Sequence, residues 1–595
     1  MSQAPFEDSR RLTGANLYFD GPGAALETAP GLLFDVGTLE RWRGNIARVR
    51  DALGWPQGAV VVREHASGAS LAFEAPLDQL YIATEANEWA LHAALGLRAD
   101  DTPVDDDSDT PRPHVAHFDD EEALRQLQAL AAAEARPALR VLIEAARAHG
   151  VPAHADDEAL SIGEGEGARI WPVDALPTEA GVPWPQLHAI PKAVVTGSNG
   201  KTTTVRLLAA MLRAHGLRAG YSSTDGLFID GERVEAGDYS GPVGARTVLR
   251  DARVQAAVLE SARGGLLRRG LVANDARVAV VTNISADHFG EYGIHTLDDI
   301  AAVKLVVAKA LAPDGLLVLN TDDSLLVKHA PSTHASRIGW FALNLDDALT
   351  RGELACGVRD GRLVLTLHGS EHDLGAIAAM PLTLEGSARY NIANIAAATL
   401  AAWALGIAPA TMTSVLARFG ASNADNPGRL QRWRLGDVQV LLDYAHNPDG
   451  LRGLLQVAGG LRGQGRLALL LGHAGNRLEE DFRALALVAA EARPERVWLK
   501  DIGGDYLRGK DSGQVATIIR QSLLDAGLHE DALPVCLDEA EASRQALAWA
   551  RDGDLLVLPV HEPSRRDVVV TLLDRLEVTG WRAGQPVPVL EGGLD

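Results

Sequence analysis

Cysteine is nearly missing from this sequence: 595 residues hold two, Cys356 and Cys536, far apart and without metal-ligand spacing. That excludes a disulfide framework and a thiolate zinc site, and it fits a reducing compartment. Both cysteines read as small buried hydrophobes. Basic charge is also scarce, with 56 Lys plus Arg against 79 Asp plus Glu and a formal net charge of -23. A field of that sign argues against nucleic acid or an anionic membrane as a partner, while leaving room for an anionic substrate in a local basic pocket. No apolar run reaches the ~18 residues of a membrane-spanning helix. The first residues, MSQAPFEDSRRLTG, lack the basic-then-apolar build of a signal peptide. The expectation is a soluble cytoplasmic protein.

What is present suffices for several cores: 47% of the residues are apolar, and a chain of this length implies roughly two to four domains. Residues 1–185 form a first, α+β unit with strand-like runs (GAVVVRE, QLYIAT) and a helical stretch, EEALRQLQALAAAEA. The acidic break ADDTPVDDDSDTPRP reads as a solvated loop, and the Gly/Pro-rich stretch 163–185 as a linker. Over 186–427 short apolar runs (AVVT, AAVLE, VAVVTNI, GLLVLN) alternate with helical patterns. Continuous hydrophobicity marks strands buried on both faces, hence a parallel sheet covered by helices. From 428 to 595 the rhythm restarts with VQVLLDYA, LALLLGHA, RVWLKD and DLLVLPV, a second, Rossmann-like α/β domain.

The decisive stretch is AVVTGSNGKTTT, residues 193–204. A strand empties into Gly197, Ser198, Asn199 and Gly200, and then into Lys201, Thr202 and Thr203 at a helix start. Such a turn aims backbone N–H groups and the positive end of a helix at an anion. Lys201 can reach outer phosphates, and the Thr202 hydroxyl can ligate Mg²⁺. Downstream, VLESARGGLLRRGL places Glu260 at the carboxyl end of a buried strand, where open α/β sheets form ligand sites. VVTNISADHFGEYGIHTLDDIAAVK carries Asn283 and His288 just past the next strand, and Lys304 in the following helix. Thr202, Glu260 and His288 are an oxygen-rich, imidazole-containing set suited to Mg²⁺ or Mn²⁺. Asn391 and Asn394, three apart at a helix start, can turn amide groups toward one ligand, or serve as mere caps.

The loop lacks the upstream glycine of the common P-loop and resembles instead the Mur ligases, which join a carboxylate to an amine through an acyl phosphate and release ADP. The resemblance implies a Mur-type central ATP-binding domain and C-terminal domain. It implies that Gly197 to Thr203 and Asn283 bind ATP, and that Asn391 and Asn394 face the adenine. Arg429 (in NPGRLQRW) would contact phosphates, and Asp443 and His446 (in DYAHNP) would shape the ribose and phosphate side. It also implies that Glu260 and His288 hold a second metal and that Lys304 is a carbamate. Lys201, Glu260, His288 and Lys304 are the catalytic set, with ATP and Mg²⁺ as cofactors. In GHAGNR, His473 stands where the family has an acidic residue, and Tyr390 where His is frequent.

Three longer runs, STDGLFIDGERVEAGDYSGPVGARTVL, ESARGGLLRRGL and NISADHFGEYGIHTLDD, are more specifically similar to the ligase half of cyanophycin synthetases. In those enzymes an ATP-grasp domain adds the aspartate. Here only a short stretch separates the first unit from the phosphate loop, too little for a second ATP site. The resemblance implies an amino acid added to a carboxylate-bearing peptide or polymer acceptor. Loops Asp238–Arg246 and Arg263–Arg269 are the acceptor candidates, and Asp501 and Asp505 the amine candidates. Two other readings stay open: a Mur or folylpolyglutamate-type ligase on another substrate, and a non-catalytic nucleotide-binding accessory of a polymer synthetase, partnering a cyanophycin-synthetase-like enzyme. A homo-oligomer is compatible with all three.

Overall fold

The structure, a computed structural model, describes residues 4–32, 34–97, 119–286, 289–475 and 477–589. The acidic break around 99–113 lies outside them. The described residues hold four sheets. The first is antiparallel, in the order Phe6–Leu12, Gly23–Thr28, Gly68–Glu74, Val60–His65. Helices Val36–Leu53 and Leu80–Leu95 pack around it, burying Trp42, Ile46, Trp89 and Phe73 in one cluster. The run QLYIAT, predicted as a strand, is instead the entry to Leu80–Leu95. That helix buries residues on most of its circumference, including Leu80, Ile82, Ala83, Ala86 and Ala90, so its first turn has the unbroken apolar look of a strand.

The stretch read as a linker is partly built structure. Ala153–Ala155, Ala159–Ile162 and Arg169–Pro172 form a small antiparallel sheet. Glu164, completely buried, accepts from Lys192 Nζ at 2.6 Å and lies 2.9 Å from His154 Nε2. A Cβ at Gly163 would lie 2.0 Å from the Gly167 carbonyl oxygen, and one at Gly165 2.2 Å from that of Val254. These glycines serve close backbone approach rather than flexibility.

The third sheet has eleven strands, with Lys192–Thr196 near its middle. Its central strands run parallel, as their unbroken hydrophobicity predicts, while both edges end in antiparallel strands. Ala256–Glu260 and Ala276–Val281 flank Lys192–Thr196, with Glu260 beside Val195 and Val281 beside Thr196. Three strand ends therefore deliver Gly197, Glu260 and Thr282 to one edge. Helix Lys201–Ala214 packs on Arg389–Ala404 above the sheet, in a core holding Val205, Leu208, Ile395 and Leu400. The fourth sheet runs Gln431–Leu435, Val438–Asp443, Leu555–Pro559, Leu467–Leu471, Arg496–Leu499, parallel except for the first strand. Among the described residues no helix is long and apolar enough to cross a membrane.

Candidate active site

The loop after Lys192–Thr196 is fixed by its neighbours rather than by its own hydrogen bonds. Ser198 N donates to Asn283 O and Asn199 N to Asn283 Oδ1, both at 2.9 Å. Thr282 Oγ1 and Asn283 Nδ2 donate to Asn199 O at 2.6 and 3.0 Å. Gly197 has φ +148°, and a Cβ there would lie 1.8 Å from Thr282 Oγ1. Gly200 has φ +85°, and a Cβ there would lie 2.1 Å from Asn394 Oδ1. Both glycines are thus demanded by close approach as well as by backbone conformation. Lys201 Nζ folds back onto the loop, donating to the carbonyls of Gly197 (3.0 Å) and Ser198 (3.2 Å).

Glu260 is 1% exposed and accepts from Thr202 Oγ1 at 2.9 Å and Thr224 Oγ1 at 2.8 Å. Burial pushes its carboxyl group above the usual range, partly offset by the Lys201 ammonium. Among the described residues it forms no ion pair. A buried carboxylate next to a hydroxyl, acted on by the Lys201 ammonium but in no ion pair among the described residues, suits a hard divalent ion. His288, the imidazole expected there, lies outside the described residues. Among the described residues no group of three or more His, Cys, Asp or Glu is placed to hold a metal. The metal reading therefore rests on Thr202 and Glu260 with oxygens of substrate and water. Lys304, on helix Leu297–Leu305, is 4% exposed and lines the same cavity.

The opposite wall carries Tyr390, Asn391 and Asn394. Asn394 Nδ2 donates to Asn391 Oδ1 at 3.2 Å and Asn391 Nδ2 to Leu382 O at 3.0 Å. The buried Tyr390 hydroxyl has no hydrogen-bond partner among the described residues, an orphan that a ligand's polar group would satisfy. From the C-terminal domain, Asp443 accepts from Leu430 N at 2.7 Å, and burial pushes its carboxyl group upward. His446 Nδ1–H donates to Tyr444 O at 3.0 Å. The domains meet at the phosphate loop itself, where Asn447 Nδ2 donates to Asn199 Oδ1 at 2.9 Å. Asn447 also caps helix Pro448–Leu461 through Gly450 N.

Arg429 lies with its guanidinium 4.3 Å from the Tyr444 ring centroid and 3.4 Å from Asp225 Oδ2. Asp225 also binds Arg206 of the phosphate-loop helix and Arg566 of the C-terminal helix Pro563–Val578, each at 2.8 Å. Burial opposes ionisation of Asp225, but Arg429, Arg206 and Arg566 hold its carboxyl group well below the usual range. One carboxylate thus joins two domains and leaves an excess of positive charge next to the phosphate loop. Asp225→Ala would strand these guanidiniums, and we expect a loss of about 3–5 kcal/mol. Thermal unfolding checks this; an unchanged Tm would contradict the clasp.

A single cavity of about 1290 Å³ takes in most of these groups. Gly197, Ser198, Asn199, Gly200, Lys201, Thr202, Thr203, Glu260, Asn283, Lys304, Asn391, Asn394, Arg429, Asp443 and His446 all line it. His473, Asp238 and the Arg263–Arg269 helix do so as well. Arg263 pairs with Glu291, whereas among the described residues Arg268 and Arg269 bond only backbone carbonyls. Arg246 points elsewhere, to Asp156 at 3.4 Å. Asp501 does not line the cavity: it accepts from Ser512 Oγ and Gly513 N at the start of helix Gln514–Asp525. The Asp505 side chain lies outside the described atoms.

Sequence reasoning missed Asp225, Thr224 and Arg566, and passed over Asn447. Thr224 carried a usable signal, a hydroxyl just past strand Ala219–Ser223. Asp225 and Arg566 are 341 positions apart and carried none.

Two family models match the chain: the Mur ligase middle domain over residues 195–402 and the Mur ligase, glutamate ligase domain over 428–559. The cyanophycin synthetase of Trichormus variabilis is 36% identical over 393 residues, 65% of this chain and 43% of that protein. The chain thus spans less than half the length of that relative. A UDP-N-acetylmuramoyl-L-alanyl-D-glutamate--2,6-diaminopimelate ligase of Xanthomonas campestris is 31% identical over 416 residues, 66% of this chain and 77% of that one. The solved E. coli FolC in complex with DHPP and ADP aligns at 19% identity and a TM-score of 0.49, over 65% of this chain and 89% of that chain.

Proposed function

The chain belongs to the Mur ligase family of ATP-dependent amide-bond ligases, and we propose that it adds an amino acid to an aspartate-containing or cyanophycin-like acceptor through an acyl phosphate, releasing ADP. One observation carries this reading. A single cavity brings a Gly-Lys-Thr loop, the buried Glu260, and Arg429, Asp443 and His446 of the C-terminal domain onto a common centre.

In this reading the loop amides, Lys201 and Arg429 hold the triphosphate, and Tyr390, Asn391 and Asn394 take the base. Thr202 and Glu260, with His288, would hold Mg²⁺, which when bound neutralises charge on the phosphate oxygens. Lys304, as a carbamate, would add a carboxylate to that side. An acceptor carboxylate oriented by Arg268 and Arg269 attacks the γ-phosphorus, and ADP leaves. The amine then attacks the acyl carbon, loses a proton, and phosphate departs as the amide forms. Donors fixed before reaction stabilise charge where it develops, and the cleft supplies orientation.

The similarity to cyanophycin synthetases favours this acceptor over that of a muropeptide or folylpolyglutamate-type ligase. An accessory protein without ligation would have no use for a buried carboxylate such as Glu260. The test offers the purified protein ATP, Mg²⁺ and poly-aspartate, short aspartyl peptides or β-aspartyl-arginine peptides, each with a panel of amino acids. A product heavier by one amino acid less water is expected. No mass gain across the panel, with ATP still bound, would overturn the acceptor assignment.

A further inference from the structure

Between the metal side of the site and helix Leu297–Leu305 runs a tight turn, held from outside by the N-terminal domain. Tyr292 has φ +55° and Gly293 φ +65°, two successive residues in the left-handed region, and Gly290 N closes the turn onto Ile294 O at 2.8 Å. A non-glycine residue rests there only when its surroundings hold it. Part of those surroundings is the central core, in which Ile294 is buried and against which Tyr292 packs, with Arg263 paired to Glu291; the rest comes from the first antiparallel sheet. The Arg10 guanidinium lies 4.6 Å from the Tyr292 ring centroid. Arg63 Nη2 donates to Gly293 O at 3.0 Å and to Asp299 Oδ1 at 2.5 Å. Ser67 Oγ and His295 Nε2 are 2.9 Å apart. His65 packs so tightly that a Cβ on Gly293 would lie 2.4 Å from its ring.

These groups are themselves anchored. Glu27, 1% exposed, accepts from Arg10 at 2.7 Å and Ser70 at 2.7 Å, with His65 Nε2 at 3.3 Å. Asp299, the end point of the Arg63 contact, also forms the capping box with Thr296 that starts helix Leu297–Leu305. Lys304 sits one and a half turns further along it.

We propose that the N-terminal domain is a working part of the ligase site: Arg10, Arg63, His65 and Ser67 are positioning residues that fix the 290–296 turn. Through Asp299 they set the helix that presents Lys304. None of them touches the reacting atoms in this account. The role assigned to Lys304 rests on the proposed ligase reading; the mechanical coupling does not.

The test uses the full chain and two variants, Arg63→Ala and Gly293→Ala, the second as a check should the first unfold. Amide hydrogen exchange across 290–305 is expected to speed up roughly tenfold in Arg63→Ala, the loss of a charge-assisted contact. Residues 197–204 should exchange as in the wild type. Mn²⁺ affinity in the presence of ATP should weaken, with metal-free ADP binding unchanged and Arg63→Lys restoring part of the loss. Unchanged exchange over 290–305 in both variants overturns the proposal. If the variants loosen the turn but the wild type ligates nothing, the positioning stands and the ligase reading falls alone.

Discussion

Lys201→Ala is expected to abolish ADP release, a loss of at least two to three orders of magnitude in turnover, of the size that removing one charge-stabilising donor causes elsewhere. The fold should hardly notice. Lys201 Nζ makes two hydrogen bonds, both to carbonyls of its own loop, each worth about 1 kcal/mol. The loop is held mainly by Asn283 and Thr282. Activity lost at a nearly unchanged Tm would therefore place Lys201 on the phosphates. Turnover close to wild type would remove the phosphate-site assignment.

Glu260→Gln is expected to be as damaging to activity, yet neutral or stabilising for the apoprotein. Burial raises the folded-state pKa of this carboxyl group, so ionising it opposes folding. The penalty is absent in acid, where the group is protonated in both states. It grows as pH climbs from the ordinary carboxylate range through the raised folded value, and is complete above it. Glutamine keeps a carbonyl acceptor for one of the Thr202 and Thr224 hydroxyls and turns its NH2 to the other, which can accept, without the charge. Thermal unfolding at neutral pH should show the variant equal to or above the wild type, with the gap closing in acid. Adding Mg²⁺ with ATP should stabilise the wild type more than the variant. A variant markedly less stable at neutral pH, without metal, would show that the carboxylate serves the fold and not an ion.

The residues that line the cavity were legible because their signals are local. Glycines flanking a lysine, an acidic residue ending an apolar run, and two asparagines three apart at a helix start each need only a few residues of context. The strands of the two large sheets were legible for the same reason: burial on both faces leaves an unbroken apolar run such as Leu467–Leu471. What failed lay at longer range or looked alike locally. QLYIAT has the composition of a strand, but its helix is packed on several sides. The glycines at 163–167 resemble a linker until Val254 and His188 close on them. Asp225 is a solitary aspartate in the sequence, and only folding brings Arg206, Arg429 and Arg566 around it. Likewise nothing in the Phe6–Leu12 or Val60–His65 runs indicates that they brace a turn more than two hundred residues away.

The most direct test of the central claim, that this cleft forms an amide through an acyl phosphate, follows oxygen. The purified chain would receive ATP, Mg²⁺, an aspartyl acceptor labelled with heavy oxygen in its carboxylates, and a mixture of amino acids. The account predicts inorganic phosphate carrying one acceptor-derived oxygen for each amide formed. Phosphate free of that label, or no ADP formed with any acceptor, would contradict it.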